Sequence, residues 1–396
     1  MADAWRVPGF TSTGSKRPEA LFGPRAAELG LPTRFARASG CRVWDEAGRE
    51  YVDYLMALGA VALGYGHPAV NRAAVEAIEQ GAVGPLAPVV EQELAGALCR
   101  AIPWIEAVRF LKTGAEAVAA AVRLGRVATG RERVLACGYH GWLDWCQGAA
   151  PGVPAATRAL CGELPYNDAE RAAALIRGQA AELAVVVVEP LVVDEPRHDW
   201  LEAVRAETEA AGAVLVFDEI KTAFRLAIGG AAERYGVRPD LMVLGKALAN
   251  GFPLAAVGGR SDLMQGVSRT WISSTLATEA VALAAARATL EVMLNERVCD
   301  TLHRRGTRLL DGLGRIRARY PDLVTGIGGV AEMCFLHYAT DEVSQSVARE
   351  CARRGLLFKR TAYNFVSLAH DEATIDTTLA TLDEVLGAAR PRLLSS

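Results

Sequence analysis

Between Val108 and Asp262 short β-branched runs alternate with helix-like stretches, and this alternation limits the architecture more than any other feature of the 396-residue chain. Val108 to Leu111 leads into a helix from Ala115, and Arg133 to Ala136 ends at Gly138. Ala184 to Val188 stops at Glu189-Pro190, Ala213 to Phe217 at Asp218-Glu219, and Leu241 to Leu244 at Gly245-Lys246. Strand, helix, strand predicts an α/β chain with a mostly parallel central sheet flanked by helices, because each crossover lays a helix on a sheet face. Ligands in such sheets gather at the carboxyl ends of the strands, where loops and helix N-termini converge.

The two ends of the chain read differently. Cys41 to Tyr54 alternates apolar and polar residues around an Asp/Gly-containing turn, the pattern of a β-hairpin. From Arg297 onward the sequence predicts an amphipathic helix (Val298 to Leu313), a β-like stretch (Leu323 to Leu336), a helix (Asp341 to Arg354) and a terminal helix from Ala373. The expected division is residues 1–55 as the N-terminal part of a small α+β lobe, 56–290 as a large ligand-binding domain, and 291–396 as the C-terminal part of that lobe. The hairpin is expected to join the C-terminal segment in space, since both lie outside the parallel sheet.

Composition removes several function classes. Lys+Arg 43 against Asp+Glu 46 leaves a net charge of −3 with no run of like charges, so neither nucleic acid nor an anionic membrane is an expected partner. The longest apolar runs fall far short of the roughly 18 residues that a spanning helix needs. Met1 to Lys16 is polar and broken by Pro8, Gly9 and Gly14, unlike a secretory signal, which points to a cytoplasmic protein. The 8 cysteines form no Cys-x-x-Cys pair and are read as reduced, mostly buried thiols; the 6 histidines offer no zinc motif, so no metal site is expected. No Gly-x-Gly-x-x-Gly follows a strand, which argues against a nicotinamide dehydrogenase.

Three groups stand just past predicted strands: Thr113-Gly114-Ala115-Glu116, Asp218-Glu219 and Gly245-Lys246. Singly, each has an ordinary reading as a loop, a cap or a solvated surface group. In one sheet they complement each other. A helix N-terminus offering the amides of Thr113, Gly114 and Ala115 suits a phosphate, and a carboxylate and a lysine ending neighbouring strands suit opposite edges of a flat phosphorylated ring.

The stretch Phe217 to Arg225, followed by Pro239-Asp240-Leu241 and by Gly245 to Pro253, resembles the signature of class III pyridoxal-phosphate-dependent aminotransferases. The likeness extends through Gly64 to Pro68, Lys112 to Ala117, Arg123 to Arg126, Tyr139 to Trp142 and Ser367 to Asp371, and covers about Ala38 to Leu386. Within the class, Trp271 to Thr275 and the tail look closest to the glutamate-1-semialdehyde aminomutase-like branch.

This resemblance implies a fold-type-I enzyme with pyridoxal 5′-phosphate as cofactor. Lys246 would bind it as a Schiff base and shuttle a proton between substrate and cofactor, while Asp218 would keep the pyridine nitrogen protonated. Tyr139 would stack on the ring with His140 beside it. Gly114 and Ala115 would hold the phosphate by main-chain N–H with Thr113 helping, and Thr275 would reach it from the partner of a homodimer; capping the helix that follows is the alternative for Thr275. Glu189 would either buttress the cofactor or cap its loop. Leu191 to Pro196 departs from the family's glutamate-bearing loop, Ala223 replaces a usual glycine, and no switch arginine is evident. Lys359-Arg360 is a candidate for a substrate carboxylate, Arg25 a further one, and His67 reads as structural.

The resulting expectation is an aminotransferase that moves an amino group between a small amine or amino-acid donor and a carbonyl acceptor, in a biosynthetic setting. An aminomutase, an epimerase or a decarboxylase would keep the same lysine and carboxylate. A non-catalytic partner sharing the fold would have no need of both.

Overall fold

A computed structural model describes residues 6–148 and 150–393. The chain divides into two units, one formed by residues up to His67 and from Thr301 onward, the other by Pro68–Asp300. In the first unit, strands β1 (Phe35–Ser39), β2 (Arg42–Asp45) and β3 (Glu50–Asp53) form an antiparallel meander. Asp45 Oδ1 closes the β2–β3 turn by accepting the N–H groups of Ala47 and Arg49, both at 2.9 Å, and Gly48 supplies the positive φ the turn requires. The hairpin expected from the Asp/Gly pattern is present.

The second unit holds β4 (Ala107–Leu111), β5 (Arg133–Cys137), β6 (Cys161–Glu163), β7 (Leu183–Val188), β8 (Val214–Asp218), β9 (Leu241–Leu244) and β10 (Ala255–Gly259) in the order β4-β10-β9-β8-β7-β5-β6. Only β10 runs antiparallel to its neighbours. The unbroken run in β7 follows from burial on both faces. Val185 and Val187 pack with the helix Gly114–Thr129, whereas Val186 and Val188 pack with Trp200, Leu201 and Val204 on the other side. Each such buried valine contributes on the order of 1.5–3 kcal/mol. The sequence reading lacks β6, since three residues with a central glycine carry no apolar periodicity.

Parallel register aligns the strand ends. Cys137 lies opposite Val188, Val188 opposite Phe217, and Asp218 opposite Val243. Residues just past β4, β5, β7, β8 and β9 therefore emerge on one edge of the sheet.

The first unit is completed by β11 (Val324–Val330), β12 (Met333–Tyr338), β13 (Leu356–Leu357) and β14 (Asn364–Phe365). The β-like stretch Leu323 to Leu336 is thus a hairpin of β11 and β12, turning at Ala331-Glu332. β13 pairs in parallel with β3, so both chain ends share one sheet. None of the eight cysteines is in a disulfide; four are buried and four partly exposed.

Candidate active site

Asp218 ends β8 and is buried; its Oδ2 lies 2.8 Å from His140 Nδ1, and its Oδ1 accepts the N–H of Ile220 at 3.2 Å. His140 comes from the loop after β5 and is buried as well. The indole of Trp145 stacks near the imidazole at 6.0 Å between centroids, and His140 Nε2 is buried with no hydrogen-bond partner among the described residues. Tyr139, the residue before it, is 71% exposed, so its ring is available as a face rather than committed to the core.

Lys246 follows β9, two residues past its end, with φ 42, a left-handed backbone that costs a non-glycine residue about 1–2 kcal/mol. The side chain is half-buried. Loss of water lowers its amine to about 8; the Lys221 ammonium and then Arg225 act in the same direction, while Glu189 and Asp218 oppose it. At that value about a tenth of the amine is neutral at pH 7, against well under a thousandth for an ordinary lysine.

Glu189, just past β7, links two neighbours. Its Oε2 accepts the Tyr139 N–H at 3.1 Å, and its Oε1 pairs with Lys221 Nζ at 2.5 Å. A Cβ on Gly138 would fall 2.5 Å from the Glu189 Cβ, so glycine is what lets the Tyr139 loop approach this carboxylate.

The helix Gly114–Thr129 begins beside these groups. Thr113 caps it through a capping box with Glu116: the hydroxyl accepts Glu116 N–H at 3.3 Å, and the carboxylate accepts Thr113 N–H at 2.9 Å. The Thr113 hydroxyl is thereby engaged, while the first-turn amides of Gly114 and Ala115 keep no intrahelical acceptor. Gly141, at φ 95, would place a Cβ 2.5 Å from that of Ala115, and one on Gly114 would meet Ile220 Cδ1 at 2.5 Å. Ile220 also faces Gly245, with 3.4 Å to a Cβ there. Close glycine contacts thus bring the helix start, the His140 loop, the Asp218 segment and the Lys246 turn together.

The group set suits a phosphorylated, ring-bearing aldehyde. Uncommitted N–H groups at a helix start fit its phosphate, the buried carboxylate fits a protonated ring nitrogen, and the partly neutral lysine fits a carbonyl carbon.

Thr275 is not gathered with these residues within one chain. It is exposed on the segment 271–279, whose backbone is held by Arg123 Nη1 to Trp271 O at 2.6 Å and Arg109 Nε to Ile272 O at 2.9 Å. Nor does it cap the following helix Ala280–Asn295, because Glu279 does so and pairs with Lys112 at 2.8 Å. Lys359 Nζ bonds Ala362 O, Arg360 pairs with Asp341, and Arg25 pairs with Glu28. The basic pair expected to hold a substrate carboxylate thus already has partners.

Glu219, beside Asp218, is fully buried and pushed up to about 7 by that burial; it accepts the N–H groups of Ala231 and Ala232 at 2.8 and 2.7 Å and so starts the helix Gly230–Tyr235. Sequence reasoning gave no part to Lys221. The signal that could have found it is usage: the chain contains 38 Arg but only five Lys, and one of those five sits in the Asp218 motif.

Comparison with known proteins gives consistent likenesses. The model of the family Aminotransferase class-III matches residues 25–386. A glutamate-1-semialdehyde 2,1-aminomutase of Methanothermobacter thermautotrophicus is 34% identical over 389 residues, covering 90% of this chain and 92% of its own. Among solved structures, the FumI protein of Sphingopyxis sp. MTA144, determined in its PLP internal aldimine form, superposes with a TM-score of 0.92 at 26% identity, covering 98% and 95% of the two chains. A β-phenylalanine aminotransferase from Variovorax paradoxus gives 0.82 at 29% identity, covering 91% and 88%.

Proposed function

The chain belongs to the class-III aminotransferase family, a pyridoxal-phosphate-dependent enzyme of fold type I that transfers or relocates an amino group, and on that premise we propose an aminotransferase acting between a small amine or amino-acid donor and a carbonyl acceptor at the Asp218–Lys246 site. One observation carries the assignment of the site: a buried carboxylate ends β8, and a lysine amine lowered to about 8 follows the neighbouring β9.

When bound, pyridoxal phosphate supplies an aldehyde carbon for a lysine amine and a ring that withdraws electrons from the substrate carbon losing its proton. The N–H groups of Gly114 and Ala115 bind the phosphate, helped by the helix dipole. Asp218 holds a proton at the ring nitrogen, with His140 fixing the carboxylate through Nδ1. Tyr139 would cover a ring face, on a loop held by Glu189. Lys246 Nζ, as the neutral amine, would accept the proton that the substrate carbon loses. Thr113 sets the helix start through its capping box.

Thr275 acts in the partner's site of a homodimer. This is supported by its exposure in the single chain and by the exposed apolar residues of the same unit, among them Leu86, Val89, Trp142, Trp271 and Leu276. Eight thiols outside any disulfide suit a cytoplasmic enzyme, and no helix among the described residues is long and apolar enough to cross a membrane.

A second reading, intramolecular amino-group migration, is favoured by the 34% identity to an aminomutase over 90% of the chain. A single turnover with isotopically labelled donor amine and unlabelled acceptor separates the two. Label in the product supports transfer; product formed from one substrate alone, with its own nitrogen retained, rejects it in favour of migration.

A further inference from the structure

Two ties join the loop after β5 to the segment after β8. His140 makes the first directly, by its contact with Asp218 at 2.8 Å. The second starts at the preceding residue and runs through Glu189: the Tyr139 N–H donates to Glu189 Oε2 at 3.1 Å, and Glu189 Oε1 pairs at 2.5 Å with Nζ of Lys221, three residues beyond Asp218. Lys221 also donates to Val192 O at 3.0 Å, so one ammonium links the segments that follow β5, β7 and β8. The ion pair is poorly hydrated, its side chains being 8% and 12% exposed. A carboxylate that loses its cation in such a place turns towards water, and Glu189 would then release the Tyr139 N–H. The segment 190–196 has anchors of its own, since Tyr166 Oη donates to Asp194 O at 2.7 Å and Asn167 Nδ2 to Glu195 O at 3.0 Å.

We propose that Lys221 is a positioning residue for Tyr139, acting through Glu189 to set the exposed tyrosine ring against the bound cofactor. This rests on the reading of Tyr139 as the residue that covers the ring. Because Tyr139 is 71% exposed, core packing does not fix its side chain, and the direction of the ring follows from its backbone. That backbone lies between Gly138 and Gly141, at φ 102 and 95, and glycines restrain a loop least. The His140–Asp218 contact holds the residue after Tyr139, whereas the Glu189 carboxylate holds the Tyr139 peptide itself. Glu189 is well placed for this, since its own N–H donates to Cys137 O at 2.8 Å and keeps its backbone in register with β5. Methionine at position 221 would keep the length of the side chain and remove both of its bonds. Arginine would keep the charge and enough donors for Glu189 and Val192 O.

The test uses the full chain, with and without cofactor. Hydrogen exchange of the peptide spanning 138–141 in the cofactor-free chain reads the Tyr139 amide; the Kd of pyridoxal phosphate and the visible circular dichroism of the holoenzyme read the ring. Lys221→Met is expected to speed that exchange about tenfold, raise Kd about tenfold and weaken the dichroic band, with Lys221→Arg restoring all three. In Tyr139→Ala, which lacks the ring but keeps the amide, Lys221→Met should still speed exchange yet change Kd by less than about twofold. Unchanged exchange in Lys221→Met, or an equal loss of affinity in the Tyr139→Ala background, overturns the proposal. If Lys221→Met does not fold, Lys221→Gln, neutral and one atom shorter, is read in the same way. Unchanged Kd and dichroism in Tyr139→Ala alone, with the exchange effect of Lys221→Met intact, would instead remove the reading of Tyr139 on which it rests.

Discussion

His140 Nδ1 and Asp218 Oδ2 meet at 2.8 Å between two buried side chains. The other ring nitrogen of His140, Nε2, is buried without a hydrogen-bond partner among the described residues. The pair fixes the orientation of the carboxylate. Asp218→Asn should therefore keep the fold and the bound cofactor while lowering kcat by about 100-fold or more, since a neutral amide cannot hold a ring proton. Cofactor absorbance and steady-state turnover measure the two together, and near-normal turnover would contradict the role.

Gly141 lets the Tyr139–His140 loop touch the start of the helix Gly114–Thr129, since a Cβ at position 141 would lie only 2.5 Å from that of Ala115. At φ 95 a side chain there is strained as well. Gly141→Ala should weaken cofactor binding by about tenfold or more, equivalent to 1.4 kcal/mol. Equilibrium titration of the cofactor-free chain with pyridoxal phosphate decides it, and an unchanged Kd would show the contact to be dispensable.

For Thr275 the expectation concerns which chain it serves. In mixed dimers of Thr275→Ala and Lys246→Ala chains, a crossing ligand leaves one site with both lesions and the other with neither, so a fully active site reappears. A threonine acting within its own chain leaves no intact site. Full activity of Thr275→Ala on its own would remove the premise.

Lys246 also leaves a mark on stability. Its amine titrates at about 8 in the fold against 10.5 as the ordinary value, so between these limits the unfolded chain binds more protons. Stability therefore rises with pH across that interval, whereas below about 8 both states are protonated and the penalty for burying the charge is fully present. Compared with Lys246→Met, the cofactor-free wild-type chain should gain Tm from pH 8 to pH 10. Parallel Tm profiles would mean that Lys246 is not depressed.

The sheet was legible because β7, β8 and β9 are buried on both faces and read as unbroken apolar runs ending in Glu189, Asp218 and Lys246. The short β6 and the division of Leu323 to Leu336 into two strands were not, since glycines at 162, 328 and 329 blur the periodicity. At the site, motif spacing singled out Asp218, Lys246 and the Gly114 helix start. It did not reveal that His140 grips Asp218, nor that Lys221 pairs with Glu189, because these contacts join residues 78 and 32 positions apart that follow different strands. Lys359 and Arg360 illustrate the converse: a basic pair conspicuous in the sequence has partners in Ala362 O and Asp341.

The whole site assignment turns on Lys246 as the cofactor lysine, and with only five lysines in the chain this is simple to check. Purified holoenzyme is reduced with borohydride, digested and mapped by mass spectrometry. The expected result is a pyridoxyl group on the peptide carrying Lys246 and on no other. A pyridoxyl group on Lys221 or any other lysine, or one still fixed in Lys246→Ala, would contradict the assignment.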